Sequence, residues 1–306
     1  MSEAYFLTIC LSPALQKTIV LPHLEEGEVN RSSEYYFDAA GKGINVSRIL
    51  VQLGHPVVHL TQWGGRNKQL LKEMAEGDHI RVEWVESHSE LRYCYTLLNT
   101  EKHTTTEIVE EVQPVEEGTE SRLEEKYAEL VGDSHTVIIS GKRAAGYSDH
   151  LVPSLVEQAR AHDKRVILDV RHEDLLNSLV YRPDIIKPNL SEFYTTFFGR
   201  KPQKENVEDR EIIEQVKEKM LSLYREYSTI PILTRGKLET LYLEEGEVKS
   251  LKPEIITPVN ILGSGDATTA GIASALAQGR SVTEMVAAGH RTARENALNI
   301  RPGSVK

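Results

Sequence analysis

From residue 121 onward the chain alternates between two kinds of segment, and this alternation restricts the fold more than any other feature. SRLEEKYAELV reads as a helix, TVIISG as a strand, DHLVPSLVEQARAH as a helix, and RVILDV and DIIKPN as further strands. Short apolar runs between amphipathic segments predict βαβ units, and therefore a parallel sheet with right-handed crossovers. In such sheets ligands sit beyond the carboxyl ends of the strands. Ser140-Gly141, Asp169 and Lys187-Pro188-Asn189 all fall at predicted strand ends, so one rim should gather them.

The first half is less regular. YFLTICL at 5–11 predicts a buried strand, and KTIVL at 17–21 and Glu34 to Phe37 predict two more. A helix follows from Ile44, with Ile44, Ile49, Leu50 and Leu53 on one face and Gly54 as its stop. PVVHLTQWGG reads as a strand and QLLKEMAEG as a helix. The block RVEWVE, RYCYTLLNT and TTTEIVEE has strand character throughout, which suggests a separate small antiparallel sheet. Later come a long amphipathic helix at 209–228, a strand at PILTRG, a hairpin turning at Glu245-Gly246, and a last helix from Thr283 to about Leu298.

Between the hairpin and that helix lies PVNILGSGDATTAGIASALAQG, residues 258–279. It predicts a strand running into Gly263-Ser264-Gly265-Asp266, then a helix of small residues, apolar on nearly every side and so buried all round. Free N–H groups at a helix start, with the macrodipole behind them, form an anion site. Asp266 at that mouth could take a proton from a hydroxyl, as phosphoryl transfer to an alcohol requires. The same tetrapeptide also reads as a plain helix N-cap with Asp266 as the capping residue. Asn189-Leu190-Ser191-Glu192 is open in the same way. One helical turn puts Asn189 and Glu192 on one face, able to hold waters around Mg²⁺, yet the spacing is also that of a capping box. Gly41-Lys42-Gly43 with Asn45 is either a close approach of ligand to backbone or a tight turn that needs glycine.

Composition narrows the class. At 306 residues the chain suits one large domain, with or without a small appendage. A formal charge of −10, with acidic residues dense over 107–125, argues against a general nucleic-acid binder. Cys10 and Cys94 are the only cysteines and neither joins a Cys/His cluster, so a reducing compartment is expected and no metal finger. MSEAYFLTICLS lacks the basic and long apolar regions of a signal peptide, and no run reaches the ~18–20 apolar residues that span a bilayer.

The run VNILGSGDATTAG closely resembles the C-terminal signature of phosphofructokinase-B-type carbohydrate kinases in the ribokinase-like group. Within that group it is most similar to the branch of 1-phosphofructokinase and tagatose-6-phosphate kinase. Other matches lie in family order along the chain. Gly41-Lys42-Gly43-Ile44-Asn45 resembles the N-terminal signature, with Ala40 where a first glycine is usual. Leu91-Arg92-Tyr93-Cys94 resembles Thr-Arg-x-Cys, and Thr106 to Glu110 also matches, without the Gly-Pro that usually follows. Lys187 to Glu192 resembles Lys-Pro-Asn-x-x-Glu, and Thr234 and Gly236 match a Ser/Thr-x-Gly loop whose second glycine is Glu239 here.

The resemblance implies a single ribokinase-like domain over 1–306, a three-layer α/β/α fold with a mostly parallel sheet. Residues of about 14–38 and 91–113 would form a β lid that also serves as a homodimer contact. It further implies ATP and Mg²⁺, a sugar-phosphate substrate, a cytoplasmic setting and no nucleic-acid or membrane partner. Asp266 would be the general base, with the backbone of Gly263, Ser264, Gly265 and Asp266 holding charge on the transferred group. Gln16, Gly41, Lys42, Gly43, Asn45 and Ser140 would bind the substrate, and Arg31 and Arg92 its phosphate. Lys187, Asn189, Thr234, Gly236 and Asn296 would serve the nucleotide, and Asn189 and Glu192 the metal through water.

The departures from the family cluster on the acceptor side. Gln16 stands where an aspartate usually grips sugar hydroxyls. SGKRAAG at 140–146 replaces Ser-Gly-Ser-Leu-Pro-x-Gly and brings Lys142 and Arg143 near the rim, and Arg171-His172 follow Asp169 where small residues are common. Three functions fit these features: a kinase for a ketohexose phosphate of fructose 1-phosphate or tagatose 6-phosphate type, a kinase for an unphosphorylated sugar or nucleoside, and a catalytically silent sugar-phosphate-binding regulator.

Overall fold

Strand residues that are apolar at every position can be buried only if both faces of the sheet are covered. The computed structural model, which describes residues 4–199 and 209–306, meets that requirement with helices on both faces of one large sheet. In chain order the elements are β1 (Tyr5–Cys10), β2 (Ala14–Leu21), β3 (Glu34–Ala40), α1 (Lys42–Gln52), β4 (Val57–Gly64), α2 (Lys68–Gly77), β5 (Arg81–Glu90), β6 (Arg92–Asn99) and β7 (Thr104–Val109). There follow α3 (Thr119–Val131), β8 (Ser134–Ser140), α4 (Leu151–Ala161), β9 (Arg165–Asp169), α5 (Glu173–Ser178), β10 (Ile185–Ile186), α6 (Leu190–Phe198) and α7 (Arg210–Tyr227). The chain ends with β11 (Ile230–Leu233), β12 (Thr240–Glu244), β13 (Glu247–Leu251), α8 (Ser264–Ala277) and α9 (Val282–Ala297).

The large sheet runs β13-β12-β11-β10-β9-β8-β1-β4-β5. Its pairs are parallel from β5 across to β11, and β12 and β13 close it as an antiparallel hairpin. Alternate side chains of each strand serve opposite layers. Phe6, Ile138, Ile167 and Ile232 pack with α1, α8 and α9, whereas Leu7, Val137, Ile139, Val166 and Leu168 pack with α3, α4, α6 and α7. The strand order reverses between β1 and β8, which places a ligand crevice at their carboxyl ends.

The chain leaves this sheet twice to build a second one, β3-β2-β6-β7. β2 pairs antiparallel with β3 and parallel with β6, and β6 pairs antiparallel with β7. Here the sequence reading needs correcting. RVEWVE is not part of the small sheet: as β5 it pairs parallel with β4 and forms an edge of the large one. It is only half-buried because it is an edge strand, with Val85 packing in the α3 layer and Val82 and Trp84 against the Trp63 cluster on the opposite face. The predicted strand before Gly263 is absent, since residues 252–263 hold no strand. DIIKPN shrinks to Ile185–Ile186, because Pro188 lacks an N–H for a ladder. Leu53 caps α1 and is exposed, so the apolar face ends at Leu50.

One buried guanidinium joins these pieces. Arg48 on α1, 1% exposed, donates through Nε to Asp78 Oδ2 (2.8 Å), through Nη1 to Asn45 Oδ1 (3.2 Å) and Pro302 O (3.1 Å), and through Nη2 to Ala39 O (2.6 Å). It thereby ties α1 to β3, to the end of α2 and to the C-terminal turn. Arg48→Met keeps the volume of the stem but takes the guanidinium donors from Asn45 Oδ1, Pro302 O and Ala39 O, while Asp78 keeps Arg301. The expected loss is about 3–5 kcal/mol of folding stability, measured by urea unfolding; a loss below about 1 kcal/mol would place Arg48 among dispensable ion pairs.

Candidate active site

The rim predicted from strand ends exists, and α1 and α8 both start on it. α8 begins at Gly263, whose φ of 79° is in the left-handed region open to glycine. A side chain there would also strike Gly303 N at 2.8 Å, so the turn needs glycine on two counts. The turn uses the Ser264 N–H, which donates to Ile261 O at 3.2 Å. Among the described residues no acceptor is bonded to the N–H groups of Gly265 and Asp266. Of the backbone N–H groups of 263–266, that of Ser264 is therefore taken up by the turn, and those of Gly265 and Asp266 are left for a ligand.

Asp266, 6% exposed, stands one turn inside this mouth. Its Oδ2 accepts from Asn45 Nδ2 at 2.8 Å, and Asn45 is oriented by Arg48 on its other end. Burial pushes the Asp266 carboxyl up to about 6, against the pull of Lys42 and the Asn45 hydrogen bond. Asp169, at the end of β9, is buried just as deeply but behaves oppositely. Lys42 Nζ lies 3.4 Å from its Oδ1 and Lys187 Nζ 3.4 Å from its Oδ2, and Thr269 Oγ1 donates to Oδ2 at 3.2 Å. Burial opposes ionisation there too, but the two lysines outweigh it and hold this carboxyl below the usual range. Asp169 in turn raises Lys42 above the ordinary lysine value.

Two cavities meet at the mouth. The first, about 330 Å³, lies under the small sheet and is lined by Gln16, Asp38, Gly41, Lys42, Asn45, Arg92, Cys94, Thr96, Lys187 and Asp266, among others. The second, about 670 Å³, is lined by Thr234, Gly236, Leu190, Ser191 and Gly263 to Gly265. Both include Glu107, Asn189, Thr234, Leu262, Gly263 and Gly265, so the α8 mouth is their common wall. A basic annex of about 170 Å³, lined by Arg92, Lys142 and Arg171, adjoins the first cavity at Lys42.

Not every residue singled out in the sequence reaches these cavities. Arg31 is exposed in the loop between β2 and β3 and lines neither cavity. Gly43 faces inward: a side chain would come within 2.6 Å of Cys10 Cβ and 2.7 Å of His59 Cε1, so this glycine serves packing of α1 on β1. Ser140 is buried at the end of β8, its hydroxyl without a partner, outside both cavities. Asn296 is fully buried and spent internally, donating to Leu262 O (2.8 Å) and accepting from Gly303 N (2.7 Å). It holds the α8 mouth in shape and has no face left for a nucleotide. Arg143 is drawn away by Asp174 (2.6 Å) and Asp149. Asn189 and Glu192 do form the capping box, Asn189 Oδ1 accepting from Glu192 N and Glu192 Oε2 from Asn189 N. Sequence reasoning passed over Asp38, which lines the first cavity from β3; a carboxylate at an apolar strand end before Ala39-Ala40 was the available signal.

The raised Asp266 carboxyl has a consequence for stability. Between its ordinary value and about 6 the folded chain keeps a proton that the unfolded chain has released. Stability therefore falls as pH rises through that window. Asp266→Asn removes the titration, so the variant should gain on wild type from about pH 4 to about pH 7 by roughly 1–3 kcal/mol, read from urea midpoints. A difference that does not change with pH would show that burial does not strain this carboxyl.

Comparison with known proteins agrees with this geometry. The pattern of the pfkB family carbohydrate kinases matches residues 14–303. Among solved structures, phosphofructokinase-2 from Escherichia coli in complex with fructose-6-phosphate superposes with a TM-score of 0.84 at 20% identity, covering 96% of this chain and 94% of that one. The same figures hold for the tetrameric inhibited form of that enzyme. A possible 1-phosphofructokinase from Thermotoga maritima gives a TM-score of 0.85 at 23% identity, covering 97% and 93%. These likenesses establish the ribokinase-like fold. Because the family pattern itself runs along nearly the whole sequence, the chain belongs to the pfkB family of carbohydrate kinases and is a phosphotransferase with an alcohol group as acceptor.

Proposed function

We propose that the protein transfers the terminal phosphoryl group of ATP to a hydroxyl of a ketohexose monophosphate, of the fructose 1-phosphate or tagatose 6-phosphate type. The observation that carries this reading is the junction of two cavities at a buried carboxylate beside two unbonded amides. The sugar phosphate occupies the cavity under the small sheet, which acts as a lid, and the nucleotide occupies the one at Thr234 and Gly236. Asp266 takes the hydroxyl proton as that oxygen attacks the γ-phosphorus. The bond from phosphorus to the bridging oxygen breaks, and ADP leaves. The amides of Gly265 and Asp266, with Lys42 and Lys187, hold the charge on the group in flight.

Mg²⁺ bound with the nucleotide would neutralise phosphate charge. Glu192 and Asn189 fit it through water: both line the first cavity, and Glu192 Oε1, 4.0 Å from Lys42 Nζ, lies outside the capping box. Arg92 is the phosphate ligand best supported. Its guanidinium is held by Ser12 O (3.2 Å) and Glu110 O (3.2 Å) between the acceptor cavity and the basic annex. The acceptor's phosphate would lie toward Lys142 and Arg171. A homodimer through the lid belongs to the same reading, because Tyr35 and Ile108 are exposed on the sheet face turned from the cavity. So does a cytoplasmic setting, in which Cys10 and Cys94 remain free thiols. No helix among the described residues is long and apolar enough to cross a membrane.

The test is transfer from ATP over a panel of fructose 1-phosphate, tagatose 6-phosphate, fructose 6-phosphate, free fructose and adenosine. Turnover on a phosphorylated ketohexose alone is expected; preference for an unphosphorylated acceptor would support the second sequence reading instead. Asp266→Asn should lower kcat by ~10²–10⁴-fold with nucleotide affinity unchanged, and wild-type kcat/KM should fall below about pH 6, where Asp266 gains its proton. Near-normal turnover by that variant would remove Asp266 from the mechanism. Arg92→Ala should raise the acceptor KM by roughly 10–100-fold and leave that of ATP almost unchanged; equal effects on both would end its role as phosphate ligand.

A further inference from the structure

We propose that Asp38 is the carboxylate that receives acceptor hydroxyls in this enzyme, in place of residue 16. The proposal deepens the kinase reading above and rests on it. The register of the lid sheet supplies the geometry. Gln16 on β2 lies directly opposite Asp38 on β3. Directly opposed residues of an antiparallel pair point to the same face with Cβ atoms about 4.5–5.5 Å apart. A carboxylate set on either strand therefore reaches the same part of the cavity, and both residues line it.

The two side chains are in different states. Gln16 is 6% exposed, and its Nε2 donates to Thr96 Oγ1 at 2.8 Å, which turns the amide along the sheet. Asp38 is 7% exposed, and its Oδ1 accepts from Arg301 Nε at 2.5 Å. The same guanidinium grips Asp78 with both terminal nitrogens, at 2.8 Å each, so Arg301 cannot swing and Asp38 is held in one orientation. Its second oxygen, Oδ2, is buried and has no donor. A buried carboxylate oxygen without a partner is a deficit that a sugar O–H removes on binding. An aspartate at 16 would set a second carboxylate opposite the first, and like charges at that separation repel. Glutamine at 16 is thus what allows aspartate at 38.

The experiment compares wild type, Asp38→Asn, Gln16→Asp and the double variant, with ATP and each of fructose 1-phosphate, fructose 6-phosphate and tagatose 6-phosphate. Asparagine keeps the shape of Asp38 and can still accept from Arg301. Asp38→Asn should lower acceptor kcat/KM by about tenfold or more, mostly through KM, with the ATP KM unchanged. Gln16→Asp alone should also lower it, and adding Gln16→Asp to Asp38→Asn should recover most of the loss. A single variant without effect on the acceptor, a loss shared equally with ATP, or a double variant no better than Asp38→Asn would overturn the proposal. If Asp38→Asn does not fold, Gln16→Asp decides alone: a loss supports the proposal and a gain overturns it. Wild type that phosphorylates none of the three sugars overturns the ketohexose-phosphate reading, and this inference with it. Transfer that Asp38→Asn leaves intact overturns only the inference.

Discussion

A carboxylate poised to take a proton near neutral pH has to sit out of water, where its charge is poorly tolerated unless donors and cations share it. Asp266 is in that position, and much of the site is arranged around the compensation. Asn45 donates to it from α1, Lys42 lies close enough to oppose the effect of burial, and the N-terminus of α8 adds its dipole. Asn45 can do this only because Arg48 fixes which end of its amide faces Asp266. Arg48 is itself held by β3, by the end of α2 and by the C-terminal turn. The surroundings of Asp266 thus depend on contacts from residues far apart in the chain.

The two buried aspartates of the rim illustrate how environment divides roles between identical side chains. Asp266 has one amide donor and a raised carboxyl, and so suits proton transfer. Asp169 has two lysines and a threonine hydroxyl and stays ionised. Its value lies in holding the Lys42 and Lys187 ammonium groups side by side at the cavity wall, where they would otherwise repel. Repulsion between the carboxylates raises Asp266 a little further, so the second aspartate also helps to tune the first.

The small sheet contributes differently. It has little core of its own and closes over the rim through one face. In the β2–β3 and β2–β6 ladders the pairs Ala14–Ala40 and Gln16–Asp38, with Arg92 and Cys94 alongside, alternate with residues that pack outward or against α1 and α2. A one-residue slip would exchange the two sets. The lining of this cavity is therefore set by strand register as well as by residue identity.

Much of this was legible in the sequence because it depends on local physics. Alternating apolar runs can be satisfied only by a covered parallel sheet, and strand ends in such a sheet share a rim, so Asp169, Lys187 and Asn189 group from the sequence alone. Glycine flanking Ser264 and the small residues after Asp266 likewise dictate a turn into a buried helix. Other features required the tertiary structure. Gly43 in its signature motif and Asn296 on the last helix look like ligand contacts, but space and hydrogen bonds across the fold give them packing roles. Arg31 looks like half of a phosphate clamp until its loop is seen to lie outside the cavity. RVEWVE changes sheets because its partner strand, not its own pattern, decides where it pairs. Asp38 escapes a linear reading altogether: its place opposite Gln16 and its tie to Arg301, 263 positions away, follow from pairing and chain closure, which no local pattern encodes.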